Sequence, residues 1–100
     1  MLKHIVFWKI AENGSAEERA ALIDEFRAKI DYLKTLIPQL ANARIGANTV
    51  EGSYHVCIDS CFENKESLDE YIEHPEHLKV RAWLDSISYD KAVFDYYYEE

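Results

Sequence analysis

The opening strand, Leu2 to Ile10, carries apolar side chains on both of its faces, and this limits the available folds more than any other stretch. Strict alternation places Leu2, His4, Val6, Trp8 and Ile10 on one face and Lys3, Ile5, Phe7 and Lys9 on the other. Such a strand must be covered on both sides, because neither face can be left to water. Helices can cover one face, and the other then needs a second layer.

The rest of the chain supplies those helices in a fixed order. Glu12-Asn13-Gly14 reads as a turn. Ser15-Ala16-Glu17-Glu18 then has the form of a capping box, in which the Ser oxygen accepts from the N–H of Glu18. Leu22, Ile23, Phe26, Ile30, Leu33 and Ile37 follow at helical spacing as one stripe, and Pro38 ends it. A weaker strand is expected over 43–50, a turn at Glu51-Gly52-Ser53, and a clear strand over 54–62. That strand puts Tyr54, Val56, Ile58, Ser60 and Phe62 on one face, and His55, Cys57, Asp59 and Cys61 on the other. Asn64 is placed to cap a second helix through Leu68, Tyr71 and Ile72. His74-Pro75 interrupts it, and the helix restarts with Pro75 at its first position and continues to Leu84. A last strand is expected over 91–98.

The predicted order is β-α-β-β-α-β, an α+β ferredoxin-like arrangement with helices on one face of a four-stranded antiparallel sheet. Ile5, Phe7 and Cys57 fall on the outer face and make it too apolar for free exposure. A second copy of the chain is the simplest cover, which predicts a homodimer through that face, a dimeric α/β barrel. One hundred residues suit a single domain, 1–100.

Charge removes several functions. The formal net charge is -8, with eleven Lys and Arg among nineteen Asp and Glu. Nucleic-acid binding needs clustered cations, and anionic membrane surfaces repel this balance, so neither partner is expected. No apolar run approaches the roughly 20 residues of a membrane span. The N-terminus lacks the pattern of a signal peptide, and a cytoplasmic setting is the expectation. Cys57 and Cys61 lie four apart on one strand, about 13 Å, too far for a disulfide within it. Neither has the spacing of a zinc ligand.

Three pieces, in this order and spacing, carry a family resemblance: Lys3-His4-Ile5-Val6, Tyr71-Ile72-Glu73-His74-Pro75-Glu76-His77, and Val93-Phe94-Asp95-Tyr96. Over essentially its whole length the chain resembles the stress-responsive A/B barrel (Dabb) domain family. The resemblance implies a ferredoxin-like fold whose sheets form a barrel in the dimer. It implies no single activity, since the family spans stress-induced plant proteins, bacterial members without an assigned activity, and a plant polyketide cyclase, olivetolic acid cyclase. Relative to that cyclase, the resemblance places a catalytic Tyr and His at Tyr71 and His77, a first-strand His at His4 and a last-strand Asp at Asp95. One departure stands out: Val56 occupies the place of a further cyclase histidine. The adjacent His55 points to the opposite face and cannot replace it without a register slip.

Each of these residues supports two roles. His77 can act as a base near neutral pH, or satisfy a backbone carbonyl. Tyr71 can donate to a substrate carbonyl as an enolate forms, or pack over the sheet. Asp95 can orient His77 or His4, or make a strand-end ion pair. His4 can assist catalysis or sit as a satisfied core histidine. His74 and His77, three apart, would need a further ligand to hold a metal, and no metal or cofactor is assigned. Phe26, Ile30, Val56, Ile58, Ile72, Val80, Leu84 and Val93 are the expected walls of a pocket for a small hydrophobic or carbonyl ligand, unless they close into solid core. Two functions compete: a cofactor-free enzyme or binder of the cyclase or lyase kind, and a non-catalytic stress or assembly protein whose dimer barrel is the working unit.

Overall fold

The computed structural model describes residues 1–99, and Glu100, the end of the expected domain, lies outside the described residues. The elements run β1 (Leu2–Ile10), α1 (Ala16–Leu36), a short 3-10 turn (Pro38–Leu40), β2 (Arg44–Ala47), β3 (Val56–Phe62), α2 (Lys65–Glu73), α3 (Pro75–Ile87) and β4 (Ser88–Tyr97). The four strands form one antiparallel sheet of order β2-β3-β1-β4. This is the expected α+β ferredoxin-like order.

Local chemistry sets the boundaries. The Ser15 oxygen accepts from Glu18 N–H at 3.1 Å and starts α1. Of the expected stripe, Ile23, Phe26, Ile30 and Leu33 form the buried face of α1, Leu22 is half-buried at its edge, and Ile37 is buried as the C-cap just beyond the helix. Asn64 caps α2 by accepting from Ser67 N–H at 2.9 Å. His74 ends α2 and caps α3, its Nδ1 accepting from Glu76 N–H at 3.1 Å, and Pro75 follows at the first helical position. Pro has no N–H to leave unpaired there.

Three strands differ from expectation in their limits. β2 covers 44–47 rather than 43–50, because the Asn48 side chain takes the N–H of Val50 and donates to the Tyr54 carbonyl, folding the chain into a turn. Gly52, with φ of +77°, completes that turn. β3 starts at Val56 rather than Tyr54, and β4 begins at Ser88 rather than Lys91, with a shift of register between Lys9 and Ile10. Pairing, rather than local propensity, decided where these strands stop.

The two faces of the sheet differ sharply. Val6, Trp8, Val56, Ile58 and Phe62 pack beneath the helices with Leu68, Val80 and Leu84. Trp8 meets Phe26 edge-on at 5.4 Å between centroids. The opposite face shows Ile5 and Phe7 beside Cys57 and Cys61, both free thiols, and continues onto β4 at Phe94 and Tyr96. Phe94, opposite Ile5, is 60% exposed. Burial pushes the Cys57 thiol up from its ordinary range, so it is not a reactive thiolate. Among the described residues no helix is long and apolar enough to cross a membrane.

Candidate functional site

β4 is an edge strand, and its helix-side residues stand outside the helical cover. Register puts Lys91, Val93 and Asp95 opposite Trp8, Val6 and His4. Between that row and the helices lies a cavity of about 230 Å³. Seven of the eight expected wall residues line it: Phe26, Ile30, Ile58, Ile72, Val80, Leu84 and Val93. The eighth corrects the reading. Val56 is 2% exposed and packed in the core, on the β3 side of Trp8 next to β2, whereas the cavity opens on the β4 side. A wider hollow of about 550 Å³ between α1 and residues 47–55 holds none of the four expected chemical residues.

All four of those residues line the smaller cavity: His4, Tyr71, His77 and Asp95. The Tyr71 and His77 rings are 4.3 Å apart between centroids, and Phe62 stacks on the other side of Tyr71 at 5.4 Å. Tyr71 is 3% exposed. Burial pushes its phenol well above the ordinary range, so the hydroxyl keeps its proton. No hydrogen bond to that hydroxyl forms within the described residues.

His77 Nδ1 lies 2.8 Å from the Ile72 carbonyl. A carbonyl only accepts, so Nδ1 carries the proton. The neutral ring then keeps its lone pair on Nε2. Burial lowers the His77 pKa from its ordinary value; the Ile72 carbonyl opposes this, and the charges of Arg81, His4 and Lys91 reinforce it. The imidazole is therefore neutral at pH 7, as a base must be. It satisfies a carbonyl and presents a basic nitrogen at once, so the two expected roles do not exclude each other.

Asp95 pairs with His4, not His77: Oδ1 is 2.6 Å from His4 Nδ1. The carboxylate accepts from that nitrogen and fixes the tautomer. Ser60, facing the same side, donates to the His4 carbonyl at 2.8 Å. His55 lies away from this cavity, its Nδ1 accepting from Ile10 N–H at 2.9 Å. His74 is spent on the helix junction. Among the described residues no three His, Cys, Asp or Glu side chains gather to share a metal ion.

Sequence reasoning missed five lining residues: Val6, Trp8, Arg81, Asp85 and Lys91. A signal existed for two of them. Arg81 is four residues after His77, on the same helical face, and Lys91 alternates with Val93 and Asp95.

Helices on one face of a four-stranded antiparallel sheet, with polar groups gathered over an apolar cavity, define a ferredoxin-like α+β protein. The chain belongs to the stress responsive A/B barrel domain family, whose model matches residues 2–98. Among solved structures it is similar to a dimeric ferredoxin-like protein of unknown function from Bacteroides fragilis, at 26% identity, with 97% of this chain and 95% of that chain covered and a TM-score of 0.85. It is similar to protein At3g17210 of Arabidopsis thaliana, at 25% identity, 100% and 97% coverage and a TM-score of 0.79. The hydroxynitrile lyase of Passiflora edulis shares the fold at 17% identity, with 99% and 94% coverage and a TM-score of 0.79. No curated protein matches the chain.

Proposed function

We propose that this chain binds a small hydrophobic carbonyl compound in the cavity beside Tyr71 and His77 and moves a proton on it without a cofactor, as a lyase or cyclase does. The observation that carries this reading is the Tyr71–His77 pair itself. A neutral imidazole with a free Nε2 and a phenol with an unused O–H stand 4.3 Å apart, ring to ring, on one cavity wall. Nε2 accepts a proton from the carbon next to the carbonyl. The Tyr71 hydroxyl donates to the carbonyl oxygen as negative charge develops there. The Asp95 carboxylate holds His4 in one tautomer on the opposite wall, ready to contact the substrate.

The experiment follows exchange of the α-hydrogens of phenylacetone in deuterated buffer by NMR. The wild-type chain is expected to accelerate exchange. His77→Ala and Tyr71→Phe are each expected to lose about 10²-fold of that acceleration. Exchange no faster than buffer alone, or unchanged in both variants, would sink the reading. The low pKa of His77 also keeps the base available below pH 6.5, so the acid limb of the pH profile is expected beneath that value.

The uncovered sheet face supports a homodimer closed through Ile5, Phe7 and Cys57, in line with the dimeric Bacteroides fragilis protein. The same face favours a second reading, in which the barrel dimer is itself the working unit of a non-catalytic stress or assembly protein. The exchange experiment separates the two readings.

A further inference from the structure

The cavity carries charge that proton transfer leaves unused. Among the described residues, seven of the eleven Lys and Arg side chains lie 2.8 to 3.9 Å from a carboxylate. Arg19 donates instead to the Gly14 carbonyl at 2.7 Å. Arg44, Arg81 and Lys91 remain without a side-chain partner within the described residues. Two of these three line the same cavity. With nineteen carboxylates in the chain against eleven cations, pairing is easy to come by elsewhere.

The two cations reach the cavity from different elements. Arg81 comes from α3, one turn after His77, and Lys91 from β4, opposite Trp8. Both act on the His77 imidazole, so their charge is felt at the reacting position. Of the two carboxylates on the same walls, Asp95 is engaged by His4, and Asp85 stands one turn beyond Arg81 without an ion pair to it. Deeper in, Trp8, Phe26 and Ile30 offer apolar surface. At about 230 Å³ the cavity falls below the roughly 300–1,000 Å³ of most small-molecule pockets, so its occupant is small.

We propose that the ligand is a small hydrophobic oxo acid, with its carboxylate held by Arg81 and Lys91 and its apolar body against Trp8, Phe26 and Ile30. This rests on the Tyr71–His77 reading and names the class of compound that site takes. The planar guanidinium of Arg81 suits a carboxylate in two-point contact, with Lys91 as a second point charge. A bound carboxylate also offsets the positive field around His77, so the base strengthens as substrate arrives.

The test uses 3-phenylpropanoate and its neutral amide as probes, titrated calorimetrically into the full chain. The carboxylate is expected to bind roughly tenfold more tightly, the preference two partly exposed charge pairs can supply. Arg81→Gln combined with Lys91→Gln is expected to bring the two probes to equal affinity. Both positions are exposed, so the fold is expected to survive, as far-UV circular dichroism would verify. Arg44→Gln, which removes a cation away from the cavity, is expected to leave the ratio intact.

Equal affinity of the two probes, or a preference for the amide, overturns the proposal and leaves the Tyr71–His77 reading standing. A preference that survives the double variant, or that Arg44→Gln also abolishes, overturns it too. If neither probe binds, the proposal and the pocket fall together.

Discussion

A single hydrogen bond decides what His77 can do. The Ile72 carbonyl comes from the last turn of α2, and only an interrupted helix brings it within 2.8 Å of a ring on α3. Burial then holds the ring neutral. The same burial links stability to pH. The folded pKa of His77 lies below the 6.5 of the unfolded chain, so the unfolded state binds more protons in that interval. Stability should be full above pH 6.5 and fall as pH drops toward the folded value. His55, also lowered by burial, adds in the same direction. Urea midpoints between pH 7.5 and 5 should show this slope, and His77→Gln should flatten it; an unchanged slope would mean His77 is not held neutral by the fold. Tyr71→Phe should change the unfolding free energy by less than about 1 kcal/mol, because no hydrogen bond within the described residues is lost with the hydroxyl.

Helix ends organise the next level. Ser15 is a conventional cap, and Ser15→Ala should cost about 1 kcal/mol, read from thermal or urea unfolding. His74 is less conventional, since one residue closes α2 and opens α3. His74→Ala should cost about as much and also loosen the Ile72–His77 contact. The His77 ring signals should therefore broaden or shift, which Ser15→Ala should not cause. Leu33, on the inner face of α1, is fully buried, and Leu33→Ala should cost about 2–5 kcal/mol, a size set by the cavity left behind. These caps were readable because their signals are local: a Ser or Asn three residues before a free N–H, or a Pro that forbids helix before it. The 3-10 turn at Pro38–Leu40 and the early start of β4 gave no such sign, since both depend on what the chain meets after it turns.

At the scale of the whole molecule, the described residues of one chain cover one side of the sheet with helices and leave the other open. Ile5 and Phe7 are half-buried, while Phe94 and Tyr96 are 60% and 43% exposed, an apolar face larger than scattered exposure explains. Lys3 and Asp59 form an ion pair across it at 2.8 Å and would have to be enclosed or skirted by a second sheet. Phe94→Glu should leave the protomer folded, since the side chain is exposed already, and should convert a dimer to a monomer in sedimentation velocity. A wild-type monomer at micromolar concentration would remove the dimer from the account.

What the sequence determined alone is what short-range physics controls. Alternation fixed which side of β1 and β3 is buried, because side chains on a strand can point only two ways. Helical spacing fixed the buried stripe of α1, and Ser15, Asn64, His74 and Pro75 fixed where helices begin. The family resemblance singled out His4, Tyr71, His77 and Asp95. Tertiary structure decided the rest. Asp95 could serve His4 or His77 on paper, and the register of β4 on β1 chose His4. Val56 and Val93 looked alike as pocket walls. Pairing sent Val56 into the core and left Val93 on an edge strand beyond the helices, 55% exposed. The cavity exists because β4 extends past its helical cover, and distant pairing rather than any local pattern sets that offset.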